Sequence, residues 1–126
     1  MSDEQEPNWA SLSANLRLLQ SMVYANAVDK GFWPEPIADS KEWTWLLIKA
    51  GKLMVEAGEV FTAFQENDPL ARSKKVPALT KVEEELADVC IIACDIAERL
   101  GFDLAQCMRV KHAHNRERPF RHGRAV

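Results

Sequence analysis

Few cysteines, few glycines and no long apolar run set the first limits on this chain of 126 residues. Three cysteines, an odd number, indicate no disulfide framework, so we expect a reduced protein. With only five glycines and six prolines, the composition excludes collagenous and low-complexity classes. The longest wholly apolar run, Val89 to Cys94, is far too short to cross a bilayer, so no membrane partner is expected.

An excess of basic charge is also missing. The chain has 16 Lys+Arg against 19 Asp+Glu, a net charge of −3, which disfavours a nucleic acid polymer as the partner. Hydrophobic residues make up 47% and charged residues 28%, as in an ordinary globular protein of one domain. The acidic, polar start predicts a flexible tail at 1–7 with no signal peptide, then one helical domain at 8–126 with a basic end. We expect a cytoplasmic protein.

Apolar residues recur at helical spacing in four segments, and no alternating strand pattern is found. We place helices at about 8–30, 39–66, 79–100 and 103–116. Two capping boxes are predicted, Asp39 with Glu42 and Thr80 with Glu83, and Asp103 caps the last helix. The predicted fold is therefore all-α, an antiparallel four-helix bundle.

Two pairs of carboxylates stand out on the central helices. Glu56 and Glu59 are three residues apart, as are Glu85 and Asp88, so each pair lies on one helix face. If the helices pack side by side, four negative charges converge and require a hard cation. Mg²⁺ is the expected ion, and Mn²⁺ can substitute for it. The alternative is a solvated acidic surface, and Lys52, four residues before Glu56, is a ready partner for it. Spacing alone leaves both interpretations open.

Other candidate ligands are weaker. A ferritin-like di-iron site needs Glu-x-x-His pairs, and no histidine here follows a glutamate by three residues. Cys90 and Cys94 are interpreted as core residues. Of the aromatic residues around the first connection, Trp33 or Phe32 is a candidate for stacking on a base, although packing explains most of them.

These residues together resemble the MazG-like, all-α nucleoside triphosphate pyrophosphatase superfamily. The resemblance covers about 12–123, nearly the whole chain. It rests on the Glu-x-x-Glu and Glu-x-x-Asp motifs, on Gly31-Phe32-Trp33 before prolines, and on a C-terminal Lys-x-x-x-Asn-Arg-x-Arg-Pro stretch from Lys111 to Pro119. Gly58, between the first two glutamates, is a departure from the family's pattern, because glycine is a poor helix former.

The resemblance implies hydrolysis between the α and β phosphates of a nucleoside triphosphate, giving the monophosphate and pyrophosphate. It implies that the four motif acids hold Mg²⁺ and that one of them orients or deprotonates water. It also implies a homodimer or a dimer of dimers. The substrate-binding residues would be Lys111, Asn115, Arg118 and Arg121, with Lys52 reaching a phosphate or pairing with Glu56, and Trp33 touching the base.

Three functions follow from this sequence. The first is an enzyme that cleanses the nucleotide pool by hydrolysing a (deoxy)nucleoside triphosphate. The second keeps the chemistry but reshapes a host's deoxynucleotide pool, as phage enzymes do, with a purine such as dGTP as the substrate. The third is of another class, a catalytically silent helical module that binds a nucleotide or a protein partner. The intact set of four acids argues against the third.

Overall fold

The computed structural model of the chain describes residues 7–35 and 40–119. Within these ranges it contains four α-helices and no strand: α1 (Trp9–Asp29), α2 (Ser40–Gln65), α3 (Lys81–Leu100) and α4 (Leu104–Arg116). The all-α class is confirmed, and each predicted helix end lies within about two residues of the observed one. The predicted tail up to residue 6, the Asp39 cap and the candidate Arg121 lie outside the described residues.

Local sequence signals explain where the helices begin and end. The Asn8 side chain accepts a hydrogen bond from the Ser11 backbone N–H, and Asp103 does the same for a backbone N–H in α4. Thr80 and Glu83 form the predicted capping box, each side chain bonding the other residue's backbone N–H. After α3 the chain turns through Gly101, whose φ of 74° is a left-handed conformation that glycine adopts without strain.

Helix α3 is the centre of the fold and contacts each of the other three helices. Helix α2 is antiparallel to it, because Glu42 near the start of α2 pairs with Arg99 at the end of α3, and Glu66 just after α2 pairs with Lys81. Helix α1 packs on α3 and α4. Among the described residues the backbones of α1 and α2 do not meet, so a groove lies between them over α3.

The short connection after α1 is fixed to the core. Trp33 is only 3% exposed, and two cations lie over its ring, the ammonium of Lys49 at 4.7 Å and the guanidinium of Arg99 at 5.2 Å from the ring centre. Arg99 also donates to both carboxylate oxygens of Glu42, at 2.6 and 3.1 Å, and to the Pro34 carbonyl at 2.6 Å. These contacts hold the connection against α2 and α3.

A buried amide joins α1 to the corner between α3 and α4. Gln20 is fully buried, and its Nε2 donates to Glu98 Oε2 at 2.7 Å and to the Phe102 carbonyl at 2.8 Å. Its Oε1 accepts from the Leu104 backbone N–H at 3.1 Å. Because a buried amide without partners is costly, these bonds fix the position of α1 along α3.

Much of the apolar surface of α2 is exposed within the single chain. Its large residues that are more than half exposed are Trp43, Leu47, Ile48, Met54, Val55, Phe61 and Phe64. A contiguous apolar surface of this kind is typical of an interaction site. None of the described helices combines the length and the apolar character needed to cross a bilayer.

Candidate functional site

The packing of α2 against α3 brings three of the four motif carboxylates together. One carboxylate oxygen from each of Glu56, Glu59 and Glu85 lies within 4.8 Å of the others. The i, i+3 spacing puts Glu56 and Glu59 on one face of α2, and the antiparallel packing places Glu85 opposite them. Asp88, one turn further along α3, is not in this trio but lines the same groove as Glu56.

The electrostatics of this carboxylate cluster are unfavourable without a cation. Burial raises the pKa of Glu85 to about 7, helped by the hydrogen bond that protonated Glu85 donates to Glu59 and by the negative charge of Glu59. The pKa of Asp88 is also raised, first by burial and then by the charges of Glu84 and Glu59. Each group therefore binds a proton more readily than an isolated carboxyl group does.

Two oxygens of the cluster are buried and have no hydrogen-bond partner, Glu56 Oε2 and Glu85 Oε2. Buried polar atoms are nearly always satisfied in folded proteins, so these two oxygens are available to a group bound beside Glu59. An all-oxygen, negatively charged donor set fits Mg²⁺ or Mn²⁺. The cluster is thus chemically suited to hold such an ion.

Lys52 pairs with Glu56, which is one of the two roles predicted for it. Its Nζ lies 3.1 Å from Glu56 Oε1, so the two side chains form an i, i+4 ion pair along α2. This contact alone is worth little, because the lysine side chain is 53% exposed and solvent screens the pair. Lys52 also lines the groove beside Glu56 and Asp88, where an anionic ligand would compete for it.

The groove over α3 has a volume of about 530 Å³, within the range of small-molecule sites. Helices α2 and α3 each contribute polar residues two turns apart, Glu56 and Lys49 on the first and Asp88 and Asp95 on the second. Since the helices are antiparallel, Glu56 faces Asp88 at one end and Lys49 faces Asp95 at the other. The rest of the lining is mostly apolar, with Lys52 and Asn26 as its further polar residues; the apolar side chains include Leu19, Met22, Val23, Ile91 and Ile92.

A second recess lies on the other side of the carboxylates. It has a volume of about 240 Å³ and is lined by Glu59 and Glu85 together with Lys74, Lys75 and Lys81. Lys74 and Lys75 belong to the polar, basic loop between α2 and α3, and both are exposed. Their position beside the acids was not predicted, because it depends on how the loop between α2 and α3 folds back.

Trp33 is not placed where a base could stack on it. The ring is buried in the core with the Lys49 and Arg99 cations over it, so the predicted base contact does not fit this position. Its neighbour Phe32 is 61% exposed and lines the groove instead. The core interpretation also holds for Cys94, which is buried, but not for Cys90, which is exposed.

The basic residues of α4 are remote from the carboxylates of the same chain. Lys111 lines a shallow depression with other α4 residues, and within the described residues α4 does not contact α2. Asn115 and Arg118 follow it near the exposed end of the helix. One chain therefore does not bring Lys111, Asn115 and Arg118 to the acidic cluster.

Comparison with known proteins gives one partial relative. The chain is 37% identical over 67 residues to the dATP/dGTP diphosphohydrolase of Cyanophage S-2L. The aligned part covers 53% of this chain and 50% of that protein, so the chain spans about half the length of the relative it matches. No protein-family model matches the chain. No solved structure matches it either.

Proposed function

We propose that this protein is a Mg²⁺-dependent pyrophosphohydrolase of the MazG-like type that acts on a deoxynucleoside triphosphate. The observation that carries the proposal is the cluster of Glu56, Glu59 and Glu85 between the groove, which Glu56 lines, and the lysine-lined recess, which Glu59 and Glu85 line, with two buried oxygens that lack partners. The similarity to a dATP/dGTP diphosphohydrolase supports the same chemistry and favours a purine deoxynucleotide as the substrate.

In the proposed mechanism the four motif acids bind the metal ion and activate the attacking water. Glu56, Glu59, Glu85 and Asp88 would hold the ion, and one of them would orient or deprotonate the attacking water. When bound, a divalent cation neutralises phosphate charge and makes water a better nucleophile. Water attacks the α-phosphorus, the bond from that phosphorus to the bridging oxygen breaks, and pyrophosphate leaves with the electron pair. The water's second proton remains on the monophosphate or passes to solvent.

The positions of the lysines support an extended triphosphate across the cluster. Lys52 lines the groove on one side of the acids, while Lys74 and Lys75 line the recess on the other side. Lysine binds phosphate as a point charge, so several lysines suit a leaving group with multiple negative charges such as pyrophosphate. We therefore place the α-phosphate at the carboxylates and the departing pyrophosphate toward Lys74 and Lys75.

We further propose that the complete site needs a second copy of the chain. The exposed apolar surface of α2 supports self-association, as a homodimer or a dimer of dimers. In such an assembly Lys111, Asn115 and Arg118 of one copy would contact the triphosphate held by another. Mixing Glu59→Ala protein with Lys111→Ala/Arg118→Ala protein should then restore part of the activity that each lacks alone.

A direct test measures pyrophosphate and inorganic phosphate released from dGTP, dATP, dCTP and dTTP, with Mg²⁺ or with EDTA. We expect pyrophosphate and the monophosphate, only with the cation, and a loss of at least a hundredfold in Glu59→Gln. The matched control is Glu117→Gln at the exposed end of α4. Release of inorganic phosphate alone, or full activity in EDTA, would contradict the proposal.

A nucleotide-binding module without catalysis is the competing function. It predicts that dGTP binds with Mg²⁺ and is recovered intact after long incubation. Two biological roles share this chemistry. An enzyme that cleanses the cell's own nucleotide pool should hydrolyse modified deoxynucleotides faster. An enzyme that reshapes a host's pool should hydrolyse ordinary deoxynucleotides faster.

A further inference from the structure

Asp95 is a buried carboxylate that the proposed chemistry does not use. It lies on α3 two turns beyond Asp88, is 4% exposed, and lines the groove. The indole of Trp33 donates a hydrogen bond to its carboxylate, yet Oδ1 has no hydrogen-bond partner. A buried carboxylate oxygen without a donor costs free energy, so this atom is a vacant acceptor for a ligand in the groove.

Gln20 shows how this fold treats a buried polar side chain that has a purely structural role. Gln20, the most buried side chain, uses both ends of its amide in hydrogen bonds to α3 and the start of α4. The unpaired oxygens of Glu56 and Glu85 belong to the proposed ion site. Asp95 Oδ1 is the other buried side-chain oxygen without a partner among the described residues, and it lies in the same groove.

The distance along α3 fits the base end of a nucleotide. Seven residues separate Asp88 from Asp95, which is about 10 Å along the helix axis. A nucleotide whose α-phosphate is at the carboxylate cluster would extend its sugar over the apolar walls and present its base edge near Asp95. Phe32, exposed at this end, offers a ring face to the base.

The hydrogen-bonding groups at this end of the groove suit a base that carries an amino group. Asp95 accepts hydrogen bonds, and Lys49 beside it donates them, although one Lys49 donor already binds the Phe32 carbonyl. Adenine carries its exocyclic amino donor next to the N1 acceptor on its pairing edge, and guanine carries an amino donor and the O6 acceptor on either side of its N1–H, so either base offers Asp95 a donor and Lys49 an acceptor. Hypoxanthine lacks the amino group.

We propose that Asp95 is a specificity-determining residue, whose Oδ1 accepts a hydrogen bond from the exocyclic amino group of a purine base. The inference rests on the proposed nucleotide site and goes beyond it by naming the group that reads the base. Trp33 is then a positioning residue, since it touches the carboxylate and not the base. Its indole N–H holds one side of Asp95 and leaves the other free.

The test compares each substrate with its analogue that lacks the amino group. If dGTP is hydrolysed faster than dATP, dGTP is compared with dITP. If dATP is hydrolysed faster, dATP is compared with deoxynebularine triphosphate. We expect the wild type to favour the amino form by at least tenfold in kcat/KM. In Asp95→Asn the Trp33 N–H retains the amide oxygen, the amide NH₂ turns to the groove, and the preference should fall below about threefold.

Controls separate base recognition from folding and from catalysis. Asp29→Asn removes the same charge from the exposed end of α1 and should keep the wild-type preference. Asp95→Glu keeps an acceptor but displaces it, so total kcat/KM should fall while the amino preference persists. Calorimetric binding of dGMP against dIMP, and of dAMP against deoxynebularine monophosphate, gives the preference without hydrolysis.

The outcomes distinguish the two proposals. Hydrolysis without discrimination in the wild type, or an unchanged preference in Asp95→Asn, would overturn the role of Asp95 alone. Discrimination in binding without pyrophosphate release from any substrate would overturn the proposed enzyme and support the base site. If Asp95→Asn does not fold by circular dichroism, the wild-type comparison decides, because equal kcat/KM for the amino substrate and its analogue contradicts the role.

Discussion

Removing the charge of Glu85 should stabilise the protein when no metal is present. The pKa of this carboxyl group is raised from 4.5 to about 7, mainly by burial and by Glu59. The folded state therefore holds a proton that the unfolded chain releases above pH 4.5, and this costs stability as pH rises from about 4.5 to 7. Glu85→Gln mimics the protonated form and should remove that cost.

The size of the effect follows from the same shift. One pKa unit corresponds to about 1.4 kcal/mol, so the full shift would amount to about 3 kcal/mol. Glu59 is exposed, and solvent screens its charge, so we expect about 1–2 kcal/mol. Urea unfolding of the apo protein in EDTA should show no gain near pH 4 and the full gain above pH 8.

Two comparisons make this measurement decisive. Glu117→Gln, which removes an exposed charge at the end of α4, should change stability by less than about 0.5 kcal/mol at either pH. With saturating Mg²⁺ the sign should reverse, because the wild type then gains binding energy that Glu85→Gln has lost. An equal gain at pH 4 and pH 8, or none at pH 8, would refute the assignment of repulsion to this cluster.

Three other changes test separate parts of the structure. Lys111→Ala with Arg118→Ala should lower kcat/KM for the triphosphate at least tenfold, and calorimetry should show unchanged Mg²⁺ binding to the apo protein; unaltered kinetics would leave these residues without a phosphate role. Arg99→Ala should cost about 3 kcal/mol, because a side chain that is only 2% exposed loses its hydrogen bonds to Glu42, to the Tyr24 hydroxyl and to the Pro34 carbonyl, whereas Arg17→Ala on exposed α1 surface should cost little in the same unfolding experiment. Gly58→Ala should add about 0.5–1 kcal/mol, because a Cβ there meets no atom within 4 Å, and a loss of stability would indicate a neighbour from another copy.

Much of the fold was predictable because its signals are local. Thr80 with Glu83 defines the start of α3 within four residues of sequence, and Gly101 defines its end. The convergence of Glu56, Glu59 and Glu85 needed one further assumption, that the two helices pack side by side, and the structure shows that they do.

The parts of the site that escaped prediction depend on contacts between distant segments. Trp33 follows a helix and precedes prolines, which is equally consistent with an exposed stacking ring or a buried one. Its burial is decided by Lys49 and Arg99, 16 and 66 residues further along the chain. Asp95 carried one available signal, its position seven residues after the motif residue Asp88 and therefore on the same face of α3, and its meaning appears only when Lys49 is seen beside it.

The single helix–helix contact of α2 has a consequence for how the protein opens. Among the described residues α2 packs only on α3, whereas α1, α3 and α4 are joined by packing and by the buried Gln20 bonds. Local opening draws on the least supported element, so the backbone amides of α2 should exchange hydrogen faster than those of α3. Two of the three clustered carboxylates belong to α2, so an ion held by all three would slow exchange in α2 and leave α4 unchanged.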